Sequence, residues 1–170
     1  VPAMVVNGAR AVVAGPNGTR VLDVAEVVTG PGETSLDADE FIVEFEIDRM
    51  PARTGDAYLR MIPRTEMDIA VVGAGARITL AEDGSIEQAA LALGAVAPTV
   101  VRVPDAETAL VGNTADDETL SAVANAASEA CNPIDDKRGT VAYRKQVAGV
   151  LAKRAVLIAI ERAEQRNGTN

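Results

Sequence analysis

Apolar and polar residues alternate most regularly at positions 41–47, and this period of two predicts a β-strand. Four apolar side chains share one face of the strand and are expected to face a core: Phe41, Val43, Phe45 and Ile47. The opposite face is polar except for Ile42. We therefore expect Ile42 to be either an ordinary exposed isoleucine or a contact for something flat and apolar that lies over this face.

A shorter strand is predicted at 57–61, where Leu59 faces a core and Arg60 points to the other side. Only a loop separates it from the strand at 41–47, so the two strands are expected to be neighbours in one sheet. Ile42 and Arg60 would then lie on the same face of that sheet.

A charged connector at 64–68 leads into a strand predicted at 69–80, and the chain returns along 86–96 as a hairpin. The connector is typical of a solvated turn, but it could instead flank a binding cleft beside Arg60. Small residues at 73–76 would let another part of the backbone approach closely. They do not form a dinucleotide-binding fingerprint, because the third glycine is missing and the segment continues as strand.

The N-terminal part is also predicted to be rich in β-structure. Strands at 9–13 and 19–22 flank the turn at 15–18, since Asn-Gly between apolar runs is a strong hairpin signal. A helical turn is predicted at 23–28, before a glycine-rich loop.

Helices follow towards the C-terminus. One is predicted at 104–111, and a second at 115–130 with Thr114 as its N-cap. A long third helix begins after Thr140 and ends near Arg166. Its buried stripe is expected to hold large apolar residues: Tyr143, Val147, Val150, Leu151, Val156, Leu157, Ile158 and Ile160, together with Ala159. These patterns predict an α+β fold, an antiparallel β-sheet with a C-terminal helical bundle packed on one face.

The composition excludes several kinds of function. The chain has 170 residues, and its net charge of -9 disfavours binding to nucleic acid or to an anionic membrane. With no histidine and one cysteine, it cannot form a Ser-His-Asp or Cys-His site, an internal disulfide or an iron–sulfur cluster of its own, and no metal site is expected. No membrane-spanning run or signal peptide is visible, so we expect a cytoplasmic location. Because the sequence opens without methionine, we also expect a fragment of a longer chain.

Two pairs of carboxylates could in principle serve a hydrolase or lyase: Asp135 with Asp136, and Glu66 with Asp68. Acidic residues this close together on a loop are usually solvated, and no histidine or aromatic residue is available to shape a pocket around them. The sequence therefore disfavours this class.

Four segments, in order along the chain, are similar to one known family: R-T-E-M-D-I-A-V-V-G-A-G-A (64–76), L-A-L-G-A-V-A-P-T-V-V-R (91–102), A-E-T-A-L-V-G (106–112) and P-I-D-D-K-R-G-T-V-A-Y-R (133–144). They resemble the FAD-binding medium subunit of the molybdenum hydroxylases, the group of xanthine dehydrogenase and aerobic carbon monoxide dehydrogenase. The segment G-A-R-A-V-V-A-G-P-N-G-T-R (8–20) resembles the end of that subunit's central flavin subdomain.

The resemblance implies two regions and an electron-transfer role. Residues 1–55 would be the end of the central flavin-binding subdomain, truncated at its N-terminus. Residues 56–170 would be the C-terminal domain, with its sheet at 57–96 and its helices at 104–166. Electrons would pass from [2Fe-2S] clusters to FAD and then to an external acceptor.

The resemblance also implies partners and cofactors. The molybdenum cofactor is expected in a large subunit and the [2Fe-2S] clusters in a small subunit. The main phosphate-binding part of the FAD site is expected in an N-terminal part of the same flavoprotein, upstream of this chain. No nucleic acid and no membrane insertion are expected.

Two cofactor-binding residues follow from the resemblance. Ile42 matches an aliphatic residue expected against the isoalloxazine ring of FAD. Arg60 matches a lysine of the family, so the charge is kept while the geometry differs. The alternative is a non-catalytic protein-interaction module that binds no cofactor.

Overall fold

The computed structural model describes residues 1–64 and 68–166 and has a mixed α+β architecture. The helices are α1 (Pro2–Val6), α2 (Val24–Val27), α3 (Pro104–Leu110), α4 (Asp117–Glu129) and α5 (Val141–Gln165). The strands are β1 (Arg10–Gly15), β2 (Gly18–Asp23), β3 (Val28–Gly30), β4 (Glu33–Thr34), β5 (Phe41–Glu46), β6 (Thr54–Met61), β7 (Val72–Leu80), β8 (Ile86–Gly94) and β9 (Val101–Arg102). The predicted fold class is confirmed.

The strands form separate antiparallel sheets in the described part of the chain. A four-stranded sheet has the order β6-β7-β8-β9, a three-stranded sheet has the order β2-β1-β5, and β3 pairs with β4. The prediction that 41–47 and 57–61 share one sheet is therefore wrong. The intervening loop carries the chain out of the first sheet before β6 enters the second.

The large sheet and the helices enclose the main core. α5 packs on β6 and β7, α4 packs on α5, and α3 packs on α4 and β8. Small residues bring α5 very close to the sheet: a Cβ added at Gly55 would lie 2.2 Å from the carbonyl oxygen of Ala159. Because there is so little room at this contact, alanines fill most of the interface.

This close contact corrects the predicted stripe of α5. Its buried face holds Arg144, Ala148, Gly149, Leu151, Ala152, Ala155, Val156, Ala159 and Ala163. Three large residues expected to be buried are exposed instead: Tyr143 at 39%, Val150 at 43% and Leu157 at 42%. The spacing predicted a stripe of the right period but centred it on the larger side chains.

The other face of the large sheet receives α1. A Cβ added at Gly75 would lie 3.1 Å from the backbone of Pro2, and one at Gly94 would lie 2.8 Å from its ring. The close backbone approach predicted for the small residues at 73–76 is confirmed at Gly75. A second, smaller core forms here between α1, α2, β1 and β8, including Ala11 and Ala92.

Local signals placed most elements correctly. The Thr140 hydroxyl accepts a hydrogen bond from the Tyr143 amide at 3.2 Å and caps α5 as predicted. The predicted hairpin around 15–18 is present, with Gly15 paired to Gly18. The cap of α4 is Asp116 rather than Thr114, since the Asp116 carboxylate accepts from the Thr119 amide at 2.8 Å.

No helix in the described ranges is long and apolar enough to cross a membrane.

Candidate functional site

Ile42 lies on β5, at the edge of the three-stranded sheet. It pairs with Val13 of β1, whereas Phe45 pairs with Ala11, and the register shifts between these two pairs. This irregularity is a β-bulge, which inserts one extra residue on β5 and breaks the strict alternation of faces. Ile42 is consequently half-buried and packs against the smaller core.

The apolar residues of β5 that were predicted to face a core are exposed. Phe41 is 62% exposed, Val43 49%, Phe45 50% and Ile47 56%. The prediction assumed uninterrupted alternation along 41–47, and the bulge makes that assumption wrong. In the described structure this strand therefore presents a band of apolar surface at a free sheet edge.

Arg60 lies on β6, at the edge of the four-stranded sheet, and its side chain is exposed. It pairs with Gly73, and a Cβ added at Gly73 would lie 2.7 Å from the Tyr58 hydroxyl. Tyr58 is 42% exposed and shares this sheet face with Arg60. The structure records no ion pair between Arg60 and any described carboxylate.

The structure corrects the expected placement of the two candidate residues. Ile42 and Arg60 do not share one face of one sheet, because β5 and β6 belong to different sheets. Both strands are nevertheless edges of their sheets, and they are consecutive along the chain. The two side chains thus lie on strands that follow one another along the chain, and each strand has one unpaired edge in the described structure.

The motif segments 64–76 and 133–144 meet around Arg144. This side chain is 4% exposed and donates hydrogen bonds to the Val71 carbonyl at 2.6 Å and the Ala95 carbonyl at 3.2 Å. It also donates to the Asp136 carboxylate at 2.7 Å. One buried guanidinium thereby joins α5, the start of β7 and the loop before α5.

Asp136 is held as an anion. Besides Arg144, its carboxylate accepts from the Arg138 amide at 2.8 Å and the Gly139 amide at 3.2 Å. The Arg144 hydrogen bond, aided by these amides, keeps the pKa of Asp136 below its ordinary value. Its neighbour Asp135 accepts from the Val141 amide at 2.5 Å.

We call this region the motif corner and define it by four residues: Asp68, Asp136, Arg138 and Arg144. Asp68 is its second anion. The hydrogen bond from Arg64 at 3.1 Å lowers the pKa of Asp68, and Arg138 lies 3.6 Å from the same carboxylate. The remaining connector residues, including Glu66, lie outside the described residues.

These contacts argue against acid–base catalysis at the paired carboxylates. A general acid needs a raised pKa near the working pH, whereas Asp68 and Asp136 have lowered pKa values. Burial raises the pKa of the Cys131 thiol to about 11, which leaves it a poor nucleophile. No cluster of metal-ligating side chains occurs among residues 1–64 and 68–166.

The helices α3, α4 and α5 offer no good receptor for a pyrophosphate at their N-termini. The first turn of α3 carries Asp105 and Glu107, and that of α4 carries Asp117 and Glu118. Carboxylates at these positions would repel a phosphate from the helix dipole that otherwise attracts it. At α5 the Thr140 cap already occupies an N-terminal amide. The residues present fit the ring end of a flavin, with apolar and cationic groups, but not its phosphate end.

Sequence reasoning missed the role of Arg144. A signal was present, because Arg144 stands four residues before Ala148 in the small-residue stripe that continues through Ala152 and Ala155. The position of the Tyr58 hydroxyl over Gly73 could not be predicted from the spacing of residues along the chain.

Comparisons with known proteins identify the family of this chain. The CO dehydrogenase flavoprotein C-terminal domain family matches residues 57–159. The chain is 32% identical to the carbon monoxide dehydrogenase medium chain of Hydrogenophaga pseudoflava over 87% of its length. It is 28% identical, again over 87%, to the xanthine dehydrogenase FAD-binding subunit of Escherichia coli O157:H7. It spans 51% of each of these relatives.

Solved structures give the same result for the fold. A chain of carbon monoxide dehydrogenase from Hydrogenophaga pseudoflava superposes on 94% of this chain with a TM-score of 0.88 and 33% identity, covering 55% of that chain. A chain of quinoline 2-oxidoreductase from Pseudomonas putida 86 superposes with a TM-score of 0.84 and 29% sequence identity. This match covers 94% of the present chain and 55% of the quinoline 2-oxidoreductase chain. The chain belongs to the CO dehydrogenase flavoprotein C-terminal domain family.

Proposed function

We propose that this chain is part of the FAD-carrying subunit of a molybdenum hydroxylase, and that this subunit passes electrons from [2Fe-2S] clusters to an external acceptor. Residues 1–55 would supply the end of the central flavin-binding subdomain, and residues 56–170 would form the C-terminal domain. The clusters would lie in a small iron–sulfur subunit and the molybdenum cofactor in a large subunit.

One observation carries the proposal: the structural match extends over both regions. It covers 94% of the chain at a TM-score of 0.88, and the matched protein is a carbon monoxide dehydrogenase that lacks the Mo-pyranopterin moiety of its molybdenum cofactor. If the C-terminal domain served a function without the flavin, we would expect the structural match to be confined to that domain. The matching family model is named for a flavoprotein domain and one relative is named as an FAD-binding subunit, and both support the flavin assignment.

Within this proposal Ile42 and Arg60 face the flavin from two sides. They lie on the edge strands β5 and β6 of two sheets, and the proposal requires that the flavin lies between these two edges. Ile42 would contribute shape and exclude water at the isoalloxazine ring. Arg60 would place a positive charge near the ring or the ribityl chain.

The phosphate end of FAD would be held elsewhere in the flavoprotein. FAD supplies the redox chemistry when it is bound, and the residues of this chain orient it and set the charge around it. The carboxylate-rich first turns of α3 and α4 make this chain alone a poor receptor for the pyrophosphate.

The test is FAD binding by two proteins. One is this chain alone, and the other joins the N-terminal half of the Hydrogenophaga pseudoflava medium chain to the front of it. We expect weak binding or none by the chain alone and stoichiometric yellow flavin on the fusion. Ile42→Asp in the fusion should release the flavin, whereas Val21→Asp, at a side chain 53% exposed on the other face of the same sheet, should not.

The outcomes separate the two candidate functions. A folded fusion that binds no FAD would overturn the flavin assignment and favour a cofactor-free interaction module. Stoichiometric FAD on the chain alone would show that the phosphate end is held by residues of this chain. Equal loss of flavin in both aspartate variants would remove Ile42 from the site.

A further inference from the structure

Helices α4 and α5 leave a groove between them of about 620 Å³ on the outer side of the bundle. We call it the α4–α5 groove. On α5 its lining positions recur every three or four residues, so they form one face of the helix. The lining residues are Ala124, Asn125 and Ser128 of α4 and Ala142, Lys145, Gln146, Gly149, Val150, Lys153, Arg154 and Leu157 of α5.

The charge of the groove is opposite to that of the chain. Acidic residues outnumber basic ones by 25 to 16 overall, yet the groove is lined by Lys145, Lys153 and Arg154 and by no described carboxylate. No ion pair joins these three cations to any described acidic residue. Three uncompensated cations along one surface favour an anionic occupant.

The groove also exposes apolar surface that the sequence would bury. Val150 and Leu157 are 43% and 42% exposed, and they stand seven residues apart on the same face of α5. The cause lies on the opposite side of the helix, where the close contact at Gly55 admits only small side chains. The large residues are thereby left on the outer face beside the cations.

The shape of the groove fits an elongated occupant. Its floor is set by Gly149, where a Cβ would lie 2.7 Å from the Ala124 carbonyl, so the two helices nearly touch there. From Ala142 to Leu157 the lining residues extend over about 22 Å of helix. This length matches about four turns of a third helix, which would lay an apolar stripe along Val150 and Leu157.

From charge, apolar surface and shape together we infer that the α4–α5 groove docks an acidic amphipathic helix of another polypeptide. A second copy of this chain is a poorer occupant, because a symmetric contact would bring the three cations against their own counterparts. The relatives include a protein named as a subunit of a dehydrogenase complex, so a surface for a different chain is consistent with the family. The inference does not depend on the flavin proposal.

The test measures binding of a defined probe to the full 170-residue chain by fluorescence anisotropy. The probe is a labelled helical peptide of about 18 residues, with leucines on one face and glutamates on the other. One control peptide has the same composition with the leucines spread around the helix, and another replaces glutamate by lysine. We expect micromolar binding of the first peptide and at least about tenfold weaker binding of both controls.

Two variants locate the site. Lys153→Glu/Arg154→Glu should weaken binding about tenfold or more, and Leu157→Ser should weaken it severalfold. The matched control, Arg49→Glu/Lys137→Glu, makes the same change of charge at exposed positions outside the groove and should change the affinity less than about twofold. Melting curves confirm that each variant is folded.

Four results would overturn the inference. They are no binding of the amphipathic peptide, equal binding of the scrambled peptide, equal loss in the control variant, and tighter binding of a single-stranded oligonucleotide of similar charge. A dimer in sedimentation that Leu157→Ser dissociates would assign the groove to self-association instead. FAD binding is not a readout, so failure here leaves the proposed function standing.

Discussion

The motif corner and the edge strand β5 are built on opposite principles. In the corner, every named charge has a partner: Arg144 binds two carbonyls and Asp136, and Arg138 lies beside Asp68. Only the Nε of Arg144 has no hydrogen-bond partner among the described residues. On β5, by contrast, Phe41 and Phe45 are at least half exposed at an unpaired edge. Residues that resemble a catalytic cluster are thus used to hold loops together, and residues that resemble a core are left open.

This difference shows where to look for function in the chain. Satisfied polar groups at low exposure stabilise the fold, and their loss costs folding free energy. Apolar or charged groups without partners in the described structure are available to a ligand or a partner. Arg60 and the α4–α5 groove belong to this second class, whereas Ile42 is half-buried and only part of its side chain is available.

The largest difference in stability is expected between Arg144→Met and Arg60→Met. Removing Arg144 leaves the Asp136 carboxylate and two carbonyls without their donor, so we expect the free energy of unfolding to fall by about 3–5 kcal/mol. Arg60→Met should stay within about 0.5 kcal/mol of wild type. Urea unfolding measures both, and equal effects would mean that the corner is not structural.

The next largest effect concerns two leucines of the same helix. Leu151 is 9% exposed in the core, so Leu151→Ala should lower the free energy of unfolding by about 2–5 kcal/mol. Leu157→Ala, at 42% exposure in the α4–α5 groove, should cost no more than about 0.5 kcal/mol. A larger loss of stability for Leu157→Ala than for Leu151→Ala would mean that Leu157 belongs to the buried face of α5, as the sequence predicted.

The buried face of α5 shows which features of the fold can be predicted from the sequence and which cannot. Caps, hairpin turns and the period of each helix are local properties, so Thr140, the turn at 15–18 and the bounds of α3 could be predicted from short segments. Which face of α5 is buried depends on its distance from β6, and the contact between Gly55 and Ala159 sets that distance. No window on α5 contains this information.

The candidate site was limited by the same kind of non-local effect. Ile42 was singled out as an apolar residue on a polar face, but its half-buried position against the smaller core depends on a bulge that requires the pairing of β5 with β1. The sequence also gave no sign that the chain enters a second sheet at β6, so the prediction that Ile42 and Arg60 share one sheet face was wrong.

A smaller effect on stability is expected at low pH from the ion pair between Arg20 and Glu40, beside the three-stranded sheet. Arg20 forms two hydrogen bonds of 2.7 Å with Glu40, which lower the pKa of Glu40 to about 2. A lowered carboxylate pKa stabilises the fold above its ordinary value and loses this effect as the pH falls towards the folded value. The melting temperature of Arg20→Met should therefore lie below wild type at about pH 6, and the gap should shrink at about pH 2.5.

The control for this pH dependence is Arg49→Met, an exposed arginine without a recorded ion pair to a described residue. Its melting temperature should follow wild type at both pH values. A gap for Arg20→Met that persists unchanged at low pH would mean that Arg20 acts through its hydrogen bond to the Ser35 carbonyl rather than through Glu40.

The charge of Arg60 should affect the redox potential of the flavin in the assembled enzyme. If Arg60 lies within about 10 Å of the flavin ring, its charge favours the negative charge that the cofactor gains on reduction, so Arg60→Glu should lower the midpoint potential by on the order of 50 mV. Arg60→Lys keeps the charge and should shift it far less. A spectroelectrochemical titration decides, with Arg49→Glu as the control for a change of charge on an exposed loop. If Arg60→Glu leaves both the potential and the FAD occupancy at the wild-type values, Arg60 is an ordinary surface residue, and the cofactor contacts of this chain must be sought along β5.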